Sequence, residues 1–185
     1  MKAYFILFIS LLSFGVGKTQ TLSSNWEGEL ESLLADFQSC MQQSNDLNCK
    51  STIGKSMNTL YNLKDFYSSN SNRYATAFEI ANEIDNKTTW KKLGQAYEQE
   101  SLEEAQKLAN KKLPVIAVYK DEEGTAAHVV LILPGELIPS GSWGLQVPRV
   151  ASFFTHQPEK SFIDKSLAYA FSKTMLLRIE LYARN

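Results

Sequence analysis

The change of hydrophobic period at Lys111–Leu113 constrains this chain more than any other feature. Before it, SLEEAQKLANKK carries Ala105, Leu108 and Ala109 on one helical face, with Ser101 as the expected N-cap and Glu104 as its capping-box partner. After it, LPVIAVYK is extended in character, rich in β-branched and aromatic residues. DEEGT then supplies a turn, and AHVVLILP a second apolar strand. The pair predicts a β-hairpin whose strands are apolar almost throughout and must be buried.

The rest of the chain arranges itself around that hairpin. From Leu22 to Met41, Trp26, Leu30, Leu33, Leu34 and Phe37 recur at three- and four-residue steps, predicting an amphipathic helix capped by Ser23, Ser24 or Asn25. After the polar break QQSNDLN, a second helix is expected from Cys49, with Ile53, Met57, Leu60, Tyr61 and Leu63 on its stripe and Asp46 or Asn48 near its N-cap. Gly54 weakens its first turn. ATAFEIANEI predicts a short helix, and TTWKKLGQA a short element around Trp90. Further strands are expected in GLQVPRVASFF and TMLLRIELYAR, with SFIDKSLAYAFSK helical between them. Helices gather in the first half and strands in the second. The expected fold class is therefore α+β, an N-terminal helical layer packed on an antiparallel β-sheet.

The chain start is of another kind. Lys2 precedes an apolar stretch from Ala3 to Phe14, then come Gly15 and Gly17, the three-part pattern of a secretory signal peptide. Residues 1–20 are expected to be removed, and 21–185 to form one domain. The apolar stretch falls short of the ~20 residues a membrane span needs, so no stable span is expected after cleavage. The destination would be the periplasm or the extracellular space. A formal net charge of −1 lacks the basic footprint of a nucleic-acid binder. No ligand spacing resembles a zinc site and no glycine-rich phosphate loop is present; neither metal nor cofactor is expected.

Two histidines and two cysteines bound the covalent chemistry available. Cys40 and Cys49 could pair in an oxidising compartment. Alternatively, Cys49 stands at an expected helix start, where the dipole and free N–H groups would stabilise a thiolate and later an oxyanion. Cys40, near a helix end, lacks that help. His128, at the head of the VVLIL strand, is the candidate general base. His156 lies in a loop before Pro158.

The stretch EEAQKLANKKLPVIAVYKDEEGTAAHVVLILPGE resembles the core of the exported cysteine amidases and peptidases of the NlpC/P60 and CHAP type, which are papain-like and cleave bacterial peptidoglycan. In that superfamily a helix leads into a strand, a short turn and a strand beginning His-Val, with the nucleophilic cysteine upstream at a helix start. TTWKKLGQA and SGSWGLQVP add to the resemblance, which spans roughly residues 46–154. The sequence departs from the pattern in having TAA where glycine commonly precedes the histidine, and Lys50 after the cysteine. The resemblance implies a polar third residue on the next strand to fix the imidazole. Ser142, Gln146 and Ser152 are available; Gln146 has a suitable amide oxygen, and Ser142 the closer spacing.

The implied function is an exported thiol hydrolase cutting an amide bond in peptidoglycan, with muropeptide as substrate. Cys49 would be the nucleophile, His128 the base, and the product would leave through an acyl-enzyme. Trp143, flanked by small residues, and Asn48 are the candidate substrate contacts. The alternative is a catalytically inactive relative that binds cell-wall fragments or a protein partner, with Cys40 and Cys49 joined.

Overall fold

A computed structural model describes residues 21–185; the expected signal peptide lies outside the described residues. Its centre is a six-stranded sheet in which every neighbouring pair is antiparallel. The strands are β3 (Trp90–Gln95), β4 (Val115–Lys120), β5 (Ala127–Ile132), β8 (Arg149–Ser152), β9 (Phe162–Ser166) and β10 (Ile179–Arg184), in spatial order β3-β10-β4-β5-β8-β9. Two small hairpins stand apart from it, β1 (Tyr67–Ser68) with β2 (Arg73–Tyr74), and β6 (Ile138–Ser140) with β7 (Leu145–Val147). The expected hairpin is β4–β5, in register with Tyr119 opposite His128.

The apolar character of β4 and β5 follows from burial on both faces. Alternate side chains enter two separate cores. Ile116, Val118, Val129, Leu131, Ala151, Phe153 and Tyr182 pack against α1 (Trp26–Gln43), α3 (Thr52–Tyr61) and α4 (Ala77–Glu83) through Leu30, Phe37, Ile53, Met57 and Ile80. Val115, Ala117, Val130, Ile132, Val150 and Leu181 face the other way. There they meet Leu102, Ala105 and Ala109 of α5 (Gln99–Asn110), Val147 of β7, and Leu167 of the short α6 (Leu167–Ala170). The N-terminal helical layer and antiparallel sheet are as expected. A second layer, built from α5, the β6–β7 hairpin and α6, makes the architecture three-layered.

Local departures have local causes. SFIDKSLAYAFSK is mostly not helical: Phe162–Ser166 completes the sheet edge beside β8, leaving only one helical turn. TTWKKLGQA is strand β3, and its Trp90 is buried with the indole N–H donating to Asp65 Oδ2 at 2.9 Å. The same carboxylate accepts from Arg184 at 2.7 Å, tying the last strand to the loop after α3. Helix α5 begins two residues before Ser101. Glu98 occupies its N-cap, and Ser101 Oγ donates to the Glu98 carboxylate instead of capping. The expected second helix is broken into a single turn, α2 (Leu47–Lys50), and α3. Asp46 caps α2, accepting from the backbone N–H groups of Asn48 and Cys49.

Candidate functional site

His128 opens β5 on the same side as Val130 and Ile132, at the end of the sheet where β4 and β8 also finish. Its ring stacks on Phe154, with centroids 4.9 Å apart and planes within 9°. Phe171 meets it edge-on at 5.4 Å. Ser152 Oγ lies 2.8 Å from Nε2, which fixes the plane of the imidazole. Burial pushes its pKa down to about 4, so the ring is neutral at pH 7. A base that weak is poorly matched to proton abstraction near neutrality.

That shift dictates a pH response. Between pH 6.5 and about 4 the unfolded chain binds a proton at residue 128 that the folded chain refuses. Stability is therefore full above pH 6.5 and declines as pH falls toward 4, by roughly 1–3 kcal/mol at most. Urea unfolding at pH 7.0, 5.5 and 4.5 should show this decline in the native protein. His128→Asn should flatten it. Equal slopes in both proteins would remove the assignment.

A cavity of about 710 Å³ wraps round this end of the sheet. Phe154, Phe171, Met175, Tyr119 and Ala127 give it an apolar floor, and Phe78 and Leu47 stand exposed at its margin. Arg73 and Glu79 form a bidentate pair on its wall, with contacts of 2.5 and 2.7 Å. The Arg73 hydrogen bonds, helped by the N–H and hydroxyl of Thr76, hold Glu79 down to about 2 despite some burial. The guanidinium is thus already neutralised. Lys50, also on the wall, has no ion-pair partner among the described residues.

Cys49 is not in this cavity. It is buried in the core between α1, α3 and the sheet, and it is disulfide-bonded to Cys40. Its sulfur therefore carries no thiolate, and the expected Cys49–His128 dyad is not assembled. The reason lies in strand geometry: alternation sends His128 to the sheet face opposite the one covered by α1 and α3. The grouping of Cys40, Asp46 and Cys49 within 4.8 Å offers no thiolate to a metal for the same reason.

The third-residue assignments also move. β5 pairs with β8, while the segment containing Ser142 and Gln146 folds out as the separate β6–β7 hairpin. Gln146 is clamped there by Gln99, its N–H donating to Oε1 at 2.9 Å and its carbonyl accepting from Nε2 at 3.2 Å. Ser142 Oγ sits 3.3 Å from Ser140 Oγ. Neither reaches His128; Ser152 holds it instead. Trp143 is 7% exposed and packs in the second core, so it presents no platform to a ligand. Asn48 is exposed and borders a second, smaller cavity. His156, expected in a solvated loop, is exposed and lines the His128 cavity.

Phe154, Phe171 and Arg73 were not singled out from the sequence. Phe154 could have been, because the alternation that sends Val150 and Ser152 to the His128 side sends Phe154 there too. Phe171 and Arg73 arrive from distant segments and carry no local signal. Among the described residues no helix is long and apolar enough to cross a membrane. Compared with models of known protein families and with curated proteins, the sequence finds no match.

Proposed function

We propose that this chain is an exported, non-cleaving relative of the papain-like cell-wall amidases, which holds the peptide stem of peptidoglycan in the His128 cavity. The observation that supports this reading above the hydrolase reading is the state of Cys49. The cysteine placed to be the nucleophile is joined to Cys40, on the far side of the sheet from the base. The disulfide also favours an oxidising destination outside the cytoplasm.

The cavity suits a short, carboxylate-bearing peptide. Its aromatic and aliphatic floor accepts side chains, and the unpaired Lys50 ammonium offers a counter-charge at the rim. Ser152 and Phe154 hold a neutral imidazole that can hydrogen-bond a peptide group without changing charge.

The test is calorimetric titration with a synthetic stem tetrapeptide, alongside chromatography of muropeptides incubated with the protein. Binding without new products is expected. Lys50→Glu should weaken the tetrapeptide by about tenfold, equivalent to roughly 1.4 kcal/mol. Absence of binding would overturn the proposal. Product formation abolished by Cys49→Ala would restore the hydrolase reading.

A further inference from the structure

A second cavity of about 290 Å³ opens beside the first. The two share walls. Arg73 lines both, and the single turn α2 turns Leu47 and Lys50 to the His128 cavity and Asn48 and Cys49 to this one. The linings differ in kind. Asp36, Asn48, Lys55, Tyr67, Asn72 and Tyr74 give the smaller cavity two phenols, two amides, one carboxylate and one ammonium.

That combination selects among ligand classes. An apolar ligand would leave the amides and carboxylate unpaired, at a cost. A phosphate would face Asp36, and it would find Arg73 already engaged by Glu79. A neutral sugar meets both needs, with C–H faces for an aromatic ring and paired hydroxyls for amide and carboxylate groups. The ring that would receive it is in place. Tyr67 is 38% exposed and held edge-to-face against Tyr74 at 5.1 Å. Its hydroxyl donates to Asn72 Oδ1 at 2.6 Å, and the NH₂ group of Asn72, a lining residue, has no partner among the described residues. Asn72 itself sits at φ +51°, in the left-handed region that asparagine tolerates.

We infer that the tyrosine-lined cavity is a glycan subsite, taking an N-acetylated pyranose of the strand whose peptide stem occupies the His128 cavity. This rests on the peptide-stem reading for the identity of the strand, and on the lining of the small cavity for the sugar. The wall common to both sites is α2, which the Cys40–Cys49 bond holds against α1.

The experiment titrates two probes separately: chitotetraose, a sugar without peptide, and the stem tetrapeptide, a peptide without sugar. Each is measured on the native protein, on Tyr67→Ser and on Asn72→Gly. Glycine keeps the left-handed backbone at residue 72 while removing the amide. Chitotetraose is expected to bind the native protein and to lose tenfold or more in Tyr67→Ser and several-fold in Asn72→Gly. Tetrapeptide affinity should stay within twofold, which also shows that the variants are folded. No chitotetraose binding, or binding indifferent to Tyr67→Ser, overturns the subsite and leaves the peptide reading standing. Sugar binding without tetrapeptide binding keeps the subsite and removes the peptide reading. Failure of both probes on the native protein removes both.

Discussion

Gly54→Ala should destabilise the protein by roughly 2 kcal/mol, although alanine is the better helix former by about 1 kcal/mol. The reason is the approach of α3 to the chain just before α4. A Cβ on residue 54 would stand 2.5 Å from the Ala75 carbonyl oxygen and 3.1 Å from Tyr74 Cβ. The nearest obstacle is backbone, so relief requires α3 and the β2–α4 segment to separate, not a rotamer change. Separation would loosen Ile53 and Met57 in the first core and displace Tyr74 from the small cavity. At ~2–4 °C per kcal/mol for a chain of this size, melting should fall by about 4–8 °C. Gly54→Val, with two further methyl groups in the same space, should fall further. A neutral or stabilised Gly54→Ala protein would show that the close approach does not exist.

The second large effect concerns the Cys40–Cys49 pair. Removing both sulfurs, as in the Cys40→Ala/Cys49→Ala double variant, should cost roughly 2–3 kcal/mol, the entropy of closing a loop this short. Chemical denaturation of the native and double-variant proteins, compared in the absence of reductant, measures the difference directly. Because α2 walls both cavities, affinity for the stem tetrapeptide should fall with stability, whereas loss confined to stability would separate the staple from the site. Iodoacetamide should label neither cysteine in the native protein until a reductant is added. Labelling of Cys49 without reductant would show a free thiol and reopen the nucleophile reading.

Much of the scaffold is legible in the residues, and the site is legible only in pieces. The β4–β5 hairpin announces itself because strands buried on both faces are apolar through their centres, and α1 because its stripe recurs at helical spacing. Phe162 misleads because a short apolar segment fits a helix turn or an edge strand equally well, and pairing with β8 decides it. Gly54 carries two meanings, a weak helix position and a point of close contact, and only the neighbour at Ala75 distinguishes them.

The sequence singles out His128 as a candidate base, and the structure places it in the lining of the larger cavity. The partners that the fold supplies differ from those expected, for two physical reasons. Chain order places Cys49 at a helix start, but it says nothing of which sheet face that helix covers. Spacing likewise favours Ser142 and a suitable amide oxygen favours Gln146, while the extra β6–β7 hairpin carries both away and brings Ser152 alongside β5. The period-two alternation of β5 is legible in the sequence, and it sends His128 with Val130 and Ile132, away from Val129 and Leu131.

The most direct test of the account is native mass spectrometry of residues 21–185 incubated with a disaccharide-tetrapeptide muropeptide. The expected spectrum contains the protein and a non-covalent complex with the intact muropeptide, with no change in either mass over time. A covalent acyl adduct on Cys49, or conversion of the muropeptide to cleaved products that stops in the Cys49→Ala protein, would contradict it.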